Sequence, residues 1–319
     1  MQELPVNLKD FYEQLQVKLV LMVNPNFMKQ EEVFKQWKKL HSVSSTTLSQ
    51  TIHIQHHAAQ FIALLGRHLV RHRSDDSNTS MIWSPELSGF RGEPLEHAQP
   101  VMLGLNIQKL SLHFMDKQGY TLSSFDLEQK NRASVLSWLK EQIGALGGDA
   151  LRLKDELHYE IPPHEVTQGG FFPEPKGKTW EEALNQRHNA DILLQWMILH
   201  SENASQARIW PHHFDSGAVL PLEYKGQEMT KSVGIGYAPP DAMVEHPYFY
   251  VNLYDKNGVN PPASFGELPA GKWLFNGWKG AVLPLTDLYE LEEPEQARRA
   301  MTFFEQAAEQ GRNMLVHNA

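Results

Sequence analysis

The sequence contains no cysteine. Disulfides, thiolate metal sites and cysteine nucleophiles are thereby excluded. Long apolar runs are missing too. The best two, residues 17–23 and 192–199, are interrupted or too short to span a bilayer, which takes about 20 apolar residues. Residues 1–10 include Glu3, Lys9 and Asp10 and lack the basic-then-apolar profile of a secretory signal. A cytoplasmic protein with no membrane partner is the simplest expectation. Basic charge is in short supply: 29 Lys and Arg stand against 38 Asp and Glu, a formal net charge of -9. Nucleic acids and anionic membranes need a basic face, so neither is expected as a partner. One local cluster, Arg67, His68, Arg71, His72 and Arg73, follows a helical segment and suits the negative end of its dipole. The glycine motifs Gly234-Ile235-Gly236 and Gly277-Trp278-Lys279-Gly280 match neither a dinucleotide-binding loop nor a Walker loop. No Gly-x-Ser-x-Gly elbow is present, which argues against an α/β-hydrolase.

What is present is an ordinary globular composition. Of 319 residues, 41% are hydrophobic and 21% charged, enough for one large domain or two of usual size. Apolar spacing predicts helices over residues 51–70, 132–146, 180–200 and 295–312, with two short helices within residues 4–41. Short strand-like pieces fall at 80–83, 101–107 and 110–115. A second set lies at 207–210, 217–222, 232–237, 248–254, 272–275 and 280–283. The order repeats: long helix, Trp-containing strand, further strands, closing helix. Trp83 matches Trp210, Pro85 matches Pro211, and Gly104 and Gly236 fall in comparable strands. Strands clustered between helices predict an α+β fold with two related halves, each of antiparallel strands flanked by helices. The expected division is a helical extension over 1–45, a first half over 46–150, a linker over 151–179 and a second half over 180–319. A cleft between the halves is the expected ligand site.

Chemistry concentrates in Trp210-Pro211-His212-His213-Phe214-Asp215. If that stretch is extended, His213 and Asp215 share one face, as a metal site or an oriented base requires. A buried His–Asp clasp would use the same residues. Helical spacing pairs His53 with His57 and His56 with Gln60, and such pairs bind divalent metals or hydrogen-bond a neighbouring sheet. Asp75-Asp76-Ser77-Asn78 offers oxygen ligands without the EF-hand spacing, so an Asx-rich turn is the better reading. Alternation places Tyr248, Tyr250, Asn252 and Tyr254 on one strand face. That face could stack a planar ligand, and a core face is the reading preferred here.

Five blocks resemble the signature of an uncharacterised bacterial protein family, a domain of unknown function. They are Gln55-His56-His57-Ala58-Ala59-Gln60, Asp75-Asp76-Ser77-Asn78-Thr79, Trp210-Pro211-His212-His213-Phe214-Asp215, Tyr248-Phe249-Tyr250-Val251 and Gly277-Trp278-Lys279-Gly280-Ala281-Val282-Leu283-Pro284. The resemblance runs from about residue 50 to about residue 310 and leaves residues 1–45 unmatched. It implies site residues but no reaction.

The expected ligand site is therefore His56, Gln60, Asp76, Asn78, His212, His213 and Asp215. Three functions compete. The first is binding of a small polar molecule between the halves. The second is metal-assisted hydrolysis, with His57 or His56, His213 and Asp215 holding a divalent ion. The third is a structural or partner-binding role. Convergence of three ligands marks the second, and a lined cleft without it the first. Satisfied side chains with no cavity beside them mark the third.

Overall fold

The computed structural model describes residues 30–96, 100–260 and 266–317. The apolar stripe through Phe11, Leu15, Leu19 and Val23 lies outside the described residues. The chain enters through a short helix, α1 (Gln30–Gln36), and an extended strap over residues 37–44. Helix α2 (Ser45–Leu69) follows; the Ser44 side chain accepts the Thr47 N–H and caps it. The first half then runs β1 (Ile82–Ser84), β2 (Gly89–Arg91), β3 (Val101–Asn106), β4 (Ser111–Asp116), β5 (Thr121–Asp126) and α3 (Arg132–Ala145). The second half is α4 (Lys178–Leu199), β6 (Arg208–Trp210), β7 (Asp215–Lys225), β8 (Glu228–Ala238), β9 (Tyr248–Asp255), β10 (Lys272–Leu274), β11 (Gly280–Pro284) and α5 (Glu293–His317).

The fold is α+β. One antiparallel sheet has the order β1-β2-β3-β4-β5 and the other β10-β11-β9-β8-β7-β6. Each backs onto its own apolar core. The first is built on α2, α3 and residues such as Phe61, Leu105 and Phe114. The second is built on α4, α5 and residues such as Leu193, Val251 and Phe304. The strands carrying Trp83 and Trp210 are the edge strands at which the sheets meet. Met81 and Ile209 exchange both backbone hydrogen bonds there, at 2.9 and 2.8 Å. Gly104 and Gly236 occupy the third and eighth strands, each next but one to its junction edge.

Two stretches do more than the spacing suggests. Residues 151–179, expected as a linker, bury Leu153, Val166 and Phe172 in the first core. Backbone bonds of 2.9 Å between Gln129, Lys130 and Phe172 tie this stretch to the end of β5. The strap, expected to belong to an extension, is part of the second half. Val33, Trp37 and Leu40 are buried in its core. Buried side chains take the strap's backbone groups: Asn189 those of Lys38 at 2.8 and 2.7 Å, Gln296 those of Leu40 at 2.8 and 2.9 Å, and Glu182 the His41 N–H at 2.9 Å. An extended strap cannot pair its own backbone, so these amides and this carboxylate replace the missing ladder. Among the described residues no helix is long and apolar enough to cross a membrane.

Candidate functional site

A cleft of about 620 Å³ opens between the amino-terminal half of α2 and the outer face of the second sheet. That volume suits a small organic ligand. Residues from both halves line it. Helix α2 supplies Ser49, Ile52, His53 and His56; the turn before β7 supplies His212 and His213, and the first residue of β7 is Asp215; β9 supplies Tyr248, Tyr250 and Asn252; Trp278 also lines it.

The floor follows from strand alternation. Phe249, Val251 and Leu253 point into the core, so Tyr248, Tyr250 and Asn252 face the cleft. Glycines beneath them let the rings lie low. A Cβ on Gly236 would meet the Tyr250 ring at 2.3 Å, and one on Gly217 the Tyr250 hydroxyl at 2.7 Å. On Gly234 it would meet the Asn252 side chain at 1.9 Å. The core-face reading of this strand holds in part: Tyr248 is buried against Ala238 and Val282 with Tyr250 packed beside it, while the same side chains and Asn252 line the cleft and Tyr254 is exposed. Two hydroxyls are already directed: Tyr250 donates to Asp215 Oδ2 at 2.8 Å and Tyr248 to Asp241 Oδ2 at 2.7 Å. Asp241 Oδ1 accepts the N–H groups of Met243 and Val244 at 2.8 and 2.9 Å, so Asp241 also closes its own loop.

The condition that residues 212–215 be extended is met only at Asp215, where β7 begins. Residues 211–214 form a turn in which Phe214 adopts a left-handed φ of 56°. His212 and His213 therefore sit together, with ring centres 4.6 Å apart, and both line the cleft with Asp215. The strain at Phe214 is held from behind. Its fully buried ring stacks on His56 at 4.8 Å and 11°. The Arg187 guanidinium lies 4.2 Å over its other contact surface, donates to its carbonyl, and donates to Ser216 Oγ at 2.8 Å. Arg187 also lies over Tyr237 at 4.7 Å and Phe90 at 5.7 Å. Its charge is thus held by oxygens and aromatic faces, with no carboxylate in ion-pair contact among the described residues.

His56 Nε2 donates to the Pro211 carbonyl at 2.7 Å, so the proton sits on Nε2. Gln60 donates to the same carbonyl at 3.0 Å and accepts the Tyr159 hydroxyl at 2.8 Å. Burial, opposed by the Pro211 bond, lowers His56 from 6.5 to about 3. Burial also lowers His53 and His212 below the ordinary histidine range. Burial pushes the Asp215 carboxyl up, against the opposing pull of the Tyr250 hydroxyl, His213 and Arg187.

Of the expected site residues, His56, His212, His213 and Asp215 come together at the cleft. Gln60 does not line it; it braces the turn from behind. Asn78 accepts the Arg73 N–H and donates to the Gly66 carbonyl, both at 3.0 Å, and so closes the loop after α2. Asp76, at a left-handed φ of 56°, meets His158 at 3.2 Å in that same loop. The loop is the Asx-rich turn expected. His57 is turned away: its Nε2 donates to the Pro162 carbonyl at 3.0 Å, and burial lowers it to about 4. His57, His213 and Asp215 therefore form no common ligand set. Among the described residues no three His, Asp or Glu side chains are placed to hold a metal ion. Sequence reasoning missed Asp241; it named His53 only as the partner of His57 and Trp278 only within a glycine motif and a resemblance block, and it did not choose Tyr248, Tyr250 and Asn252 although their alternation was visible.

No protein-family model, curated protein or solved structure matches this chain.

Proposed function

We propose that this protein binds a small polar organic molecule in the cleft between its two halves. The observation that carries the reading is convergence. The first half contributes His53 and His56, the second contributes His212, His213, Asp215, Tyr248, Tyr250 and Asn252, and about 620 Å³ is left between them. A purely structural clasp would leave no such volume beside its polar groups. Aromatic walls with a few directed polar atoms are the usual build of an organic-ligand site. The halves are further proposed to descend from one internally duplicated unit. Gln55-His56-His57-Ala58-Ala59 on α2 has a counterpart in Gln186-Arg187-His188-Asn189-Ala190 on α4. His57 and His188 each bond a backbone carbonyl of the segment that precedes the other long helix, Pro162 at 3.0 Å and Gln36 at 2.9 Å. A cytoplasmic location and kinship with the uncharacterised bacterial family remain parts of the same proposal.

The test is a thermal-shift screen with a mixed library of anionic, neutral and cationic metabolite-sized compounds. Wild type is compared with His213→Ala, whose side chain is exposed and can be removed without disturbing the core. Compounds that raise Tm in wild type and do so less in the variant support the reading, because binding to the native state alone stabilises it by mass action. A silent library, or hits indifferent to His213→Ala and Trp278→Ala together, would overturn it.

A further inference from the structure

We infer that the ligand of this cleft is an organic cation, an ammonium or guanidinium compound held by Asp215 against the rings of Tyr250, Tyr248 and Trp278. The inference rests on the binding reading above and narrows its substrate class.

The lining is one-sided in charge. It includes the carboxylates Asp215 and Asp241 and, among the described residues, no Lys or Arg. His53 and His56 are kept neutral near pH 7 by burial. A phosphate, sulfate or carboxylate ligand would meet two carboxylates with no Lys or Arg in the lining to receive it, which is unfavourable. A cation finds the opposite. Of the two carboxylates, Asp241 is occupied by the Tyr248 hydroxyl and two backbone N–H groups. Asp215 accepts the Tyr250 hydroxyl through Oδ2 and also its own backbone N–H, and among the described residues no Lys or Arg forms an ion pair with it. Arg187 behind it gives its donors to the Phe214 carbonyl and Ser216. Asp215 thus sits in the cleft wall with its charge incompletely answered, and burial already disfavours that charge. A ligand cation would supply the missing partner in a setting where a charge-assisted bond is strong.

The aromatic groups fit the same occupant. Tyr250 lies 6.3 Å from Tyr248 and 6.5 Å from Trp278, centre to centre, tilted by 56° and 82°. Rings at such angles form the walls of a partial cage, and the quadrupoles of Tyr and Trp attract an alkylammonium or guanidinium group. The glycines under Tyr250 hold it flat on the sheet, which fixes the cage before the ligand arrives. The chain's net charge of -9 draws cations towards the molecule as a whole.

The experiment is isothermal titration with matched probes: choline against its neutral isostere 3,3-dimethyl-1-butanol, benzylamine against benzyl alcohol, agmatine alone, and benzoate as the anion. Wild type is compared with Asp215→Asn, which keeps an oxygen for the Tyr250 hydroxyl, and with Trp278→Leu. At least one cation should bind about tenfold or more tightly than its neutral isostere. That margin should collapse in Asp215→Asn and shrink in Trp278→Leu, with benzoate silent throughout. Equal affinity for cation and isostere, or a margin untouched by Asp215→Asn, would overturn the inference. If no cation binds while neutral or anionic compounds from the wider library do, the cation inference fails and the binding reading stands. Silence of the whole library removes both.

Discussion

Acidification between pH 7 and 5 isolates His56 if wild type is compared with His56→Gln. The side chain is 6% exposed, its Nε2 proton is committed to Pro211, and one ring face is covered by Phe214. Its folded pKa of about 3 lies below the ordinary 6.5. The unfolded chain therefore binds a proton that the folded chain refuses. The stability tied to this histidine is complete above 6.5 and is lost as pH falls from 6.5 towards 3. By pH 5 the deficit is 1.5 pH units at about 1.4 kcal/mol each, or about 2 kcal/mol. Glutamine can keep the bond to Pro211 and carries no proton equilibrium. Buried carboxyls with raised pKa values pull the absolute stability the other way, so the difference between proteins is the quantity to follow. Urea unfolding of both proteins at pH 7 and pH 5 gives it directly. The variant should gain about 2 kcal/mol on wild type over that interval. A constant gap, or one moving in favour of wild type, would refute the buried, neutral His56 and with it the dry wall of the cleft.

Arg187→Met tests the support behind the turn. It leaves the Phe214 carbonyl and Ser216 hydroxyl without their donor and removes a cation from three ring faces, so a loss of about 3 kcal/mol is expected in a denaturant midpoint at constant m-value. An unchanged midpoint would show that the turn holds itself. Glu182→Gln tests the strap. Burial raises Glu182 from 4.5 to about 7, so its contribution is full below 4.5 and lost as pH rises through 7. Wild type should gain about 2.5 kcal/mol on the variant between pH 9 and pH 5, read again from urea midpoints. No gain would mean that the carboxyl titrates as if exposed.

Much of the architecture was legible because long helices and alternating strands write their periods into the sequence. The helix around Ile54, Ala58, Phe61, Leu65 and Leu69 and the strand at 248–254 were read from spacing alone, the strand ending one residue later in the structure. Strands β2 and β5 were not, and the reason differs. Gly89–Arg91 is too short to show a period, and Thr121–Asp126 is an edge strand with largely exposed residues and no apolar face to display. The site was half legible. His212, His213 and Asp215 stood out by residue type, but their arrangement depended on the left-handed φ of Phe214, a residue that gives no warning of it. The choice of core face for Tyr248 and Tyr250 caught their burial but not the cleft they line. Alternation tells which residues share a face, but it does not tell which face meets solvent when the opposite one is apolar as well. The Gln55–Ala59 and Gln186–Ala190 correspondence was also available in the residues, and in each the histidine bonds a carbonyl of the segment that precedes the other long helix.

The two sheets carry different side chains at matched strand positions, and their outer faces differ accordingly. Strand pairing places His113 opposite Gly104 as it places Tyr250 opposite Gly236. It places Met115 opposite Met102 as it places Asn252 opposite Gly234. In the second half the glycines leave room and the tyrosine lies flat across them. In the first half the corresponding face carries Leu87, Met102 and Met115, which pack into a small apolar cluster of their own. A Cβ on Gly104 would meet Leu87 at 2.5 Å and Met115 at 2.6 Å, so apolar side chains lie over that glycine where Tyr250 lies over Gly236 and Asn252 over Gly234. Methionine at these positions seals a surface that glycine and asparagine keep open. The same pairing geometry therefore yields a plugged face in one half and a polar, aromatic cleft in the other. The difference is made by side-chain volume at two strand positions, 102 against 234 and 115 against 252, before any hydrogen bond is counted.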